Sequence, residues 1–411
     1  MTAFELFLYI TLGLLLQVTL FAAVAFSRHW QTYQQLRERV AEFGGEEAAL
    51  VPEEATPAPI KGAAWEGFRE FRVARKVFED RSRSICSFHL VPTDGKPLLD
   101  FLPGQFLTFR LDPGDGSKPV TRCYSLSDRP GLDHYRVSIK RVSPPGLSSG
   151  HFHDHVREGD ILTARAPSGH FYLERGNSPV VLVAGGIGIT PMLSMLNATL
   201  GNGGNREIWL FYGLRDGGEH VMKEHLEGLA REHSNFRLHV CYSRPAPTDV
   251  EGRDYHHRGH VDITLLRLTL ALRPYDFYIC GPRAMMETLV PALEEWGVPD
   301  PRIHYEAFGP ASLAKPARQQ VPEDSGPAVA VTFAKSDRTL PWDGGAGSLL
   351  EFAERHGIKV DSGCRAGGCG SCQTRIEAGE VEYLQAPDYE PEPGTCLLCV
   401  SRPKRDLVLT A

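Results

Sequence analysis

The 411-residue sequence is short of three things. It has no excess of positive charge: 44 Lys and Arg stand against 51 Asp and Glu, a net charge of -7. A surface that neutralises nucleic-acid phosphates needs the opposite balance, so that class of partner is excluded as the main task. It has no disulfide framework. Nine cysteines, an odd number scattered through a long chain, do not fit the small stapled domains of secreted proteins and point to a reducing compartment. It also has no basic residues ahead of its long apolar stretch. Residues 6–26 carry no charge and are interrupted only by Thr11, Gln17 and Thr19; Glu5 precedes them, and Arg28, His29, Arg37 and Arg39 follow. A signal peptide needs a basic n-region, so the cleavage-like Ala23-Val24-Ala25 is outweighed. As a helix the stretch reaches about 31 Å, enough for a hydrocarbon core. It predicts a retained single-pass anchor in the cytoplasmic membrane, with the N-terminus outside and the body in the cytoplasm.

What is present is concentrated near the C-terminus. Cys364, Cys369 and Cys372 stand at C-x4-C-x2-C spacing, and Cys399 follows. That is the plant-type ligand pattern of a 2Fe–2S cluster, in which each iron takes thiolates in a tetrahedral shell. Gly363, Gly367, Gly368 and Gly370 let the backbone wrap closely around the sulfurs. Zinc would favour two separated C-x2-C pairs, and a disulfide cluster would favour a small secreted chain.

Upstream, residues 66–175 read as short strands (68–78, 84–92, 105–111, 121–127, 135–142 and 160–166) broken by Gly and Pro, which predicts a small antiparallel barrel. Strand alternation sets Arg122, Tyr124 and Leu126 on one face and Cys123 and Ser125 on the other. Residues 179–184 are continuously apolar, as a buried parallel strand requires, and Gly185-Gly186-Ile187-Gly188-Ile189-Thr190-Pro191 follows. Strand, Gly-rich turn and helix start is the arrangement that holds a pyrophosphate on a helix N-terminus, with Thr190 as the expected N-cap and Pro191 at the first helical position. Further strands at 208–212, 237–242 and 276–280 predict a doubly wound sheet, and Cys280-Gly281-Pro282 closes the last of them. A Pro- and Gln-rich linker precedes a third folded region, with an amphipathic helix expected at 348–356.

Read together, Pro103-Gly104-Gln105-Phe106, Arg122-x-Tyr124-Ser125, Gly146-Leu147-Ser148-Ser149, the 185–191 turn, Cys280-Gly281-Pro282 and Glu306-Ala307-Phe308-Gly309 resemble the ferredoxin–NADP reductase superfamily. The variety is that of the reductase half of flavohaemoglobins and of oxygenase reductases. Residues 328–411 resemble plant-type ferredoxins, including Leu398-Cys399-Val400-Ser401-Arg402-Pro403, which selects Cys399 over Cys396 as fourth ligand. The resemblance implies a multidomain chain: transmembrane anchor 1–30, stalk and linker 31–63, antiparallel β-barrel flavin domain 64–176, α/β doubly wound nicotinamide domain 177–310, linker 311–327, and an α+β (β-grasp) ferredoxin domain 328–411.

It also implies roles. FAD, less readily FMN, would lie on the barrel, with Arg122 at its phosphates, Tyr124 at its ring and Ser125 at the hydride-accepting nitrogen. Ile139, Lys140, Arg141, Gly146 and Ser149 would complete the pyrophosphate contacts, although Gly150-His151-Phe152 departs from the commoner Asn-Tyr-Leu. Gly186, Gly188, Thr190 and Pro191 would hold the nicotinamide dinucleotide, and Gly281 and Pro282 would border it. Cys280 and Glu306 would flank the hydride-transfer point with Ser125, and Phe308 would cover the flavin. Arg215, Ser243 and Arg244 suit a 2′-phosphate, whereas Asp216 suits a free ribose hydroxyl, so NADH and NADPH both stay open. The electron acceptor implied is a protein, such as a membrane-bound oxygenase, hydroxylase or desaturase; a quinone-reducing respiratory role and a redox-sensing module are the alternatives. Arg365 and Ala366, on the rim of the cysteine loop, are expected to meet the partner. His151, His153 and His155 alternate, which on an extended chain would gather them on one face, as for zinc; a solvated or flavin-adjacent loop is the other reading. His256, His257 and His260 read as a solvated loop.

Overall fold

The computed structural model describes Trp65 and residues 67–112, 119–142, 147–201, 203–308, 329–342, 344, 346–363, 365, 367–384, 387 and 389–411. The expected anchor, stalk and both linkers lie outside these residues, apart from short flanking stretches, as do Gly146 and Cys364. Among the described residues no helix is long and apolar enough to cross a membrane.

Six strands form the first sheet: β1 (Arg69–Phe78), β2 (Ile85–Pro92), β3 (Phe106–Leu111), β4 (Val120–Ser125), β5 (Tyr135–Lys140) and β6 (Ile161–Ala164). They pair antiparallel in the order β4-β3-β6-β1-β2-β5. The end strands meet at one corner, through a Leu126↔Val137 bridge and the Ser127 amide donating to Arg136 O at 2.8 Å, so the barrel is partly closed. Alternation drives the burial: Phe71 and Val73 of β1 point inward and Arg72 points out. A helix, α1 (Leu147–Asp154), plugs one end. Its Phe152 is fully buried and meets Phe88, Phe109 and Tyr124 edge-on at 5.3, 5.5 and 5.2 Å. Lys76 Nζ donates to the carbonyls of Phe152, His153 and Val156 at 3.2, 2.8 and 2.7 Å, which satisfies the free end of that helix with a cation.

The second sheet is parallel, in the order β10-β9-β8-β7-β11-β12. Its strands are β7 (Val180–Gly185), β8 (Ile208–Leu214), β9 (Phe236–Tyr242), β10 (His257–Arg258), β11 (Asp276–Gly281) and β12 (Ile303–Ala307). The alternation of β7 splits the core in two. Val180, Leu182 and Ala184 pack with α2 (Ile189–Gly201) and α3 (Lys223–Glu232); Val181 and Val183 pack with α4 (Ile263–Thr269) and α5 (Arg283–Glu295). Helices cover both faces, and strand order reverses between β7 and β11. That reversal opens a crevice at the carboxyl ends of those two strands.

The third sheet runs β14-β13-β19-β15-β17, with β13 (Ala330–Phe333), β14 (Arg338–Pro341), β15 (Gln373–Ala378), β17 (Thr395–Leu397) and β19 (Leu407–Leu409). A separate ladder joins β16 (Val381–Tyr383) to β18 (Ser401–Pro403). One helix, α6 (Leu349–Arg355), buries Leu349, Leu350, Phe352 and Ala353 against it. Ser348 caps α6 by accepting from the Glu351 amide at 3.3 Å, and Glu351 Oε2 reaches back to the Gly347 amide at 2.7 Å.

Candidate functional site

On the barrel, β4 carries the flavin-binding candidates. Tyr124 leans on Phe109 and Phe152 (ring centroids 6.0 and 5.2 Å), and its hydroxyl meets Ser148 Oγ on α1 at 2.5 Å. Burial, before anything else, pushes the Tyr124 hydroxyl above its ordinary pKa, so it stays a neutral hydrogen-bonding group. Ser125 is buried and pairs in register with Phe106 of β3. Arg122 is exposed, donates to Thr121 O at 2.7 Å, and has no acidic partner among the described residues. Ile139 is buried at the back of the sheet. Ser149, in the first turn of α1, accepts from the Val142 amide at 3.2 Å. An exposed guanidinium without a carboxylate partner among the described residues, and a buried aromatic hydroxyl bonded to the first turn of a helix, are a donor set that fits a flavin nucleotide.

Two side chains of this group are engaged elsewhere. Arg141 forms a fork with Asp154 (2.5 and 2.8 Å), and Lys140 pairs with Glu219 at 3.4 Å. The expected histidine face does not form, because residues 151–154 are helical and 155 follows directly. A helix brings His151 and His155 together at 5.5 Å and turns His153 inward, where its Nε2 bonds Ile139 O at 2.9 Å. In the second histidine group His256 and His260 are exposed, as expected of solvated side chains, and His257 is half-buried. His257 belongs to β10 and its Nε2 meets His239 Nδ1 at 3.0 Å, while His256 Nδ1 accepts from the Val240 amide at 2.9 Å.

At the crevice the glycines divide into two kinds. A Cβ on Gly188 would lie 2.1 Å from Cys280 O, one on Gly185 2.7 Å from Pro282 Cδ, and one on Gly281 2.5 Å from Met285 Cε. These three let the β7 turn and the end of β11 press backbone to backbone. Gly186 differs: its φ is +53° and a Cβ there would meet nothing within 4 Å. Its open side is the cradle a pyrophosphate would fill. Thr190 is not the N-cap. A 3-10 turn, Gly186–Gly188, carries the helical path upstream, and Thr190 Oγ1 donates back to Ile187 O at 3.0 Å; Pro191 follows inside α2. Cys280 is completely buried beside Glu306, its register partner on β12, and burial first, with Glu306 second, pushes its thiol well above the ordinary range. It is a neutral wall of the crevice. Pro282 precedes α5, and the Phe308 amide donates to Gly281 O at 3.4 Å.

At the outer end of the crevice the Arg244 amide donates to Arg215 O at 2.8 Å, which sets these two residues side by side. Ser243 Oγ donates to Leu214 O at 3.2 Å, and Asp216 Oδ1 accepts from the Gly218 amide at 2.8 Å. Arg215 Nη1 lies 3.6 Å from Glu219, the same carboxylate that meets Lys140.

In the third unit, Cys369, Cys372 and Cys399 are buried. Cys372 Sγ lies 3.2 Å from Cys399 Sγ, and a Cβ on Gly363 would lie 2.7 Å from Cys369 Sγ. Among the described residues, which omit Cys364, no three-ligand metal group is complete. Cys396 and Cys399 themselves form a second C-x2-C, the spacing zinc would use. The fold separates them: Cys396 points into the core beside Ser401, where burial pushes its thiol up to about 12. Two buried thiols on a glycine-lined loop that also contains Cys364 in sequence, with the buried Cys399 brought against Cys372 by the 3-10 turn Leu398–Val400, fit a 2Fe–2S cluster. Arg365 does not present a free rim. Its backbone is left-handed (φ +58°), and its guanidinium forks onto Glu354 of α6, with one bond at 2.8 Å.

Comparison with known proteins supplies the rest. The family described as oxidoreductase NAD-binding domain matches residues 182–290, and the 2Fe-2S iron-sulfur cluster binding domain matches residues 331–404. A flavohemoprotein of Halalkalibacterium halodurans is 38% identical over 287 residues, 68% of this chain and 69% of its own length. This chain belongs to the ferredoxin reductase-type NAD(P)H oxidoreductases. The flavohem-like FAD/NAD-binding domain of nitric oxide dioxygenase from Vibrio cholerae is 34% identical, with a TM-score of 0.52 over 59% of this chain and 99% of that one. Phthalate dioxygenase reductase, whose structure is described as a module for electron transfer from pyridine nucleotides to [2Fe-2S], is 29% identical with a TM-score of 0.52 over 84% of this chain and 98% of its own. The chain spans about two thirds of the length of the curated flavohemoproteins it matches. As a member of this reductase family it is an NAD(P)H-dependent electron-transfer enzyme whose cofactors are FAD and a 2Fe–2S cluster.

The reductase also uses residues that the sequence alone did not single out. Glu219 pairs with both Lys140 and Arg215, and the helix α1 was masked by Gly150 and by having Phe152 as its one buried large apolar side chain among those described.

Proposed function

We propose that this reductase passes electrons from NAD(P)H through FAD and the 2Fe–2S cluster to a one-electron acceptor protein of the oxygenase, hydroxylase or desaturase class. Residues 6–26 would tether it to the cytoplasmic membrane beside that acceptor. The observation that carries the reading is the join of crevice, flavin strand and cysteine loop in one folded unit, 63–411. When bound, FAD accepts a hydride and gives up its two electrons singly, which is what a one-electron cluster requires.

The chain's own residues do the remaining work. Ser125 offers a hydroxyl at the hydride-accepting side, and Tyr124, fixed by Ser148, gives the ring system a flat apolar wall. Arg122 and Ser149 face the flavin phosphates. Gly186 leaves room for the dinucleotide, while Gly188 and Gly281 bring neutral Cys280 and Glu306 to the nicotinamide end. Phe308 closes that end against water. Arg215 and Arg244 stand where a 2′-phosphate would lie, with Arg215 neutralised in part by Glu219. Cys364, Cys369, Cys372 and Cys399 hold the cluster. A membrane tether supports the choice of acceptor, because two proteins confined to one bilayer meet at a raised effective concentration.

The test uses full-length protein purified from membranes. Rapid mixing with NADH and with NADPH follows flavin bleaching and then the cluster signal, and a pull-down from solubilised membranes identifies the acceptor. Sequential flavin and cluster reduction, with an oxygenase-class protein recovered, is expected. Flavin reduction that never reaches the cluster, quinone as the sole efficient acceptor, or recovery of the chain from the soluble fraction would each refute the corresponding step.

A further inference from the structure

The cysteine loop has a face turned toward the flavin barrel, and the contact is built from both sides. On the barrel, residues 165–168 continue β6 alongside β3: the Arg165 amide donates to Thr108 O at 2.9 Å, and Phe106 and Ser168 exchange amide–carbonyl bonds at 2.9 and 3.1 Å. Phe106, the register partner of Ser125, projects from this edge, with its ring over Gly169 (2.7 Å from where a Cβ would stand). On the loop, a Cβ on Gly368 would lie 3.0 Å from Ser168 Oγ and 3.4 Å from Phe106 Cζ. Gly368 is the residue before Cys369. Bare glycine backbone therefore meets the barrel one residue from a cluster ligand.

Arg165 holds the second point of contact. Its guanidinium lies over Phe68 of the barrel at 4.8 Å and over Tyr389 of the cluster unit at 4.9 Å, a planar cation between two rings. Its Nε is buried with no hydrogen-bond partner among the described residues, so the ring faces, rather than a carboxylate, hold it. Tyr389 is in turn fixed to the cysteine loop. Its amide donates to Gly367 O at 3.0 Å, and its ring lies where a Cβ on Gly370 would be, 2.6 Å from Cζ. Gly370 separates Cys369 from Cys372.

We propose that Arg165 is a positioning residue that clamps the cluster loop onto the flavin barrel through Tyr389, so that each electron crosses at the Phe106–Gly368 contact. The inference rests on the reading that the four cysteines hold the cluster. In the step, the flavin is oxidised by one electron and the cluster reduced by one; no bond is made or broken. The loop face at Gly367–Gly370 is thus the entry to the cluster, and the acceptor must approach from another side.

The test is single-turnover reduction of the full-length holoenzyme carrying Arg165→Ala, with Tyr389→Ala and Tyr389→Phe alongside. Iron content and the cluster's electron paramagnetic resonance spectrum are measured first. Misplacing reacting groups by about 1 Å is worth on the order of a hundredfold in rate, and a loosened clamp part of that. Flavin bleaching by NAD(P)H should keep its rate and its KM, while reduction of the cluster slows about tenfold or more in both alanine variants. Tyr389→Phe keeps the ring face and should transfer at the wild-type rate. Cluster reduction within about twofold of wild type in loaded Arg165→Ala and Tyr389→Ala proteins overturns the clamp. Equal slowing of flavin bleaching also overturns it, because the effect would then be general. A wild-type chain that holds no cluster overturns instead the cofactor reading on which the clamp depends.

Discussion

Gly188→Ala puts the crevice geometry to its hardest test. The added methyl would stand 2.1 Å from Cys280 O, 2.4 Å from Cys280 C and 2.8 Å from the Gly281 amide nitrogen. All three are backbone atoms of β11, so no side-chain rotation relieves the clash. Reaching an ordinary contact near 3.4 Å requires the β7 turn and the β11 end to part by more than 1 Å. Overpacking of this kind costs about 3 kcal/mol. The same displacement would carry Cys280 and its register partner Glu306 away from the proposed hydride-transfer point. A shift of that size is worth on the order of a hundredfold in rate. Gly186→Ala is the control. Its methyl would meet no protein atom, leaving only left-handed strain of about 1–2 kcal/mol and an obstacle where the dinucleotide lies. In stopped-flow flavin bleaching, Gly188→Ala should lose limiting rate and Gly186→Ala should lose mainly apparent affinity for the nucleotide. Urea denaturation supplies the stability change. A Gly188→Ala enzyme with wild-type limiting rate and stability would refute the backbone-contact account.

Cys399→Ser should abolish the cluster's visible absorption and iron content, whereas Cys396→Ser should retain both and lose only core stability, because Cys396 faces Ser401 in the interior; iron analysis decides. His220 is buried and held down to about 4, chiefly by desolvation, with its Nδ1 on Tyr242 Oη at 2.7 Å. A lowered histidine pKa means the unfolded chain binds the extra proton first, so this stability is full above about 6.5 and is lost as pH falls toward 4. His220→Gln should flatten that part of the urea-midpoint profile, by on the order of 3 kcal/mol at most. Arg365→Glu sets a carboxylate against Glu354 and should loosen the cysteine loop, with faster cluster loss on chelator challenge. The swap Arg365→Glu with Glu354→Arg should restore retention, and a swap no better than the single variant would place the role of Arg365 outside this pair.

The barrel was legible in the sequence because its strands alternate and are punctuated. The expected strand 84–92 forms as Ile85–Pro92, between the Asp80–Arg83 turn and Pro92, and 105–111 forms as Phe106–Leu111, after Pro103-Gly104 and before Pro113-Gly114 in the sequence. The parallel sheet was legible for another reason: 179–184 is apolar throughout, and only burial on both faces explains that. Short elements held by distant partners were not legible. β16 and β17 have three residues each and exist because β18 and β15 pair with them. Nor could the sequence show which way a polar side chain turns. Thr190 looked like a cap until the preceding 3-10 turn moved the helix start past it, and Arg141 looked free for phosphate although Asp154, thirteen positions on, takes its fork.

The cysteine loop shows where that limit matters for function. Spacing identifies the ligands because metal coordination is local, but the spacing is silent on which side of the loop faces what. Arg365 and Ala366 looked exposed because they interrupt the ligands. Arg365 is in fact the part of the loop tied to α6, whereas the uncharged Gly368 faces the barrel and Gly370 faces Tyr389. A glycine can be required in such a loop for wrapping the sulfur or for admitting a second domain, and its sequence neighbours are alike in the two cases. Gly363 belongs to the first kind, since a Cβ would strike Cys369 Sγ at 2.7 Å; Gly368 belongs to the second, since a Cβ would meet Ser168 and Phe106. The difference is visible only from the atoms across the gap, and those atoms belong to Ser168 and Phe106, far upstream in the chain.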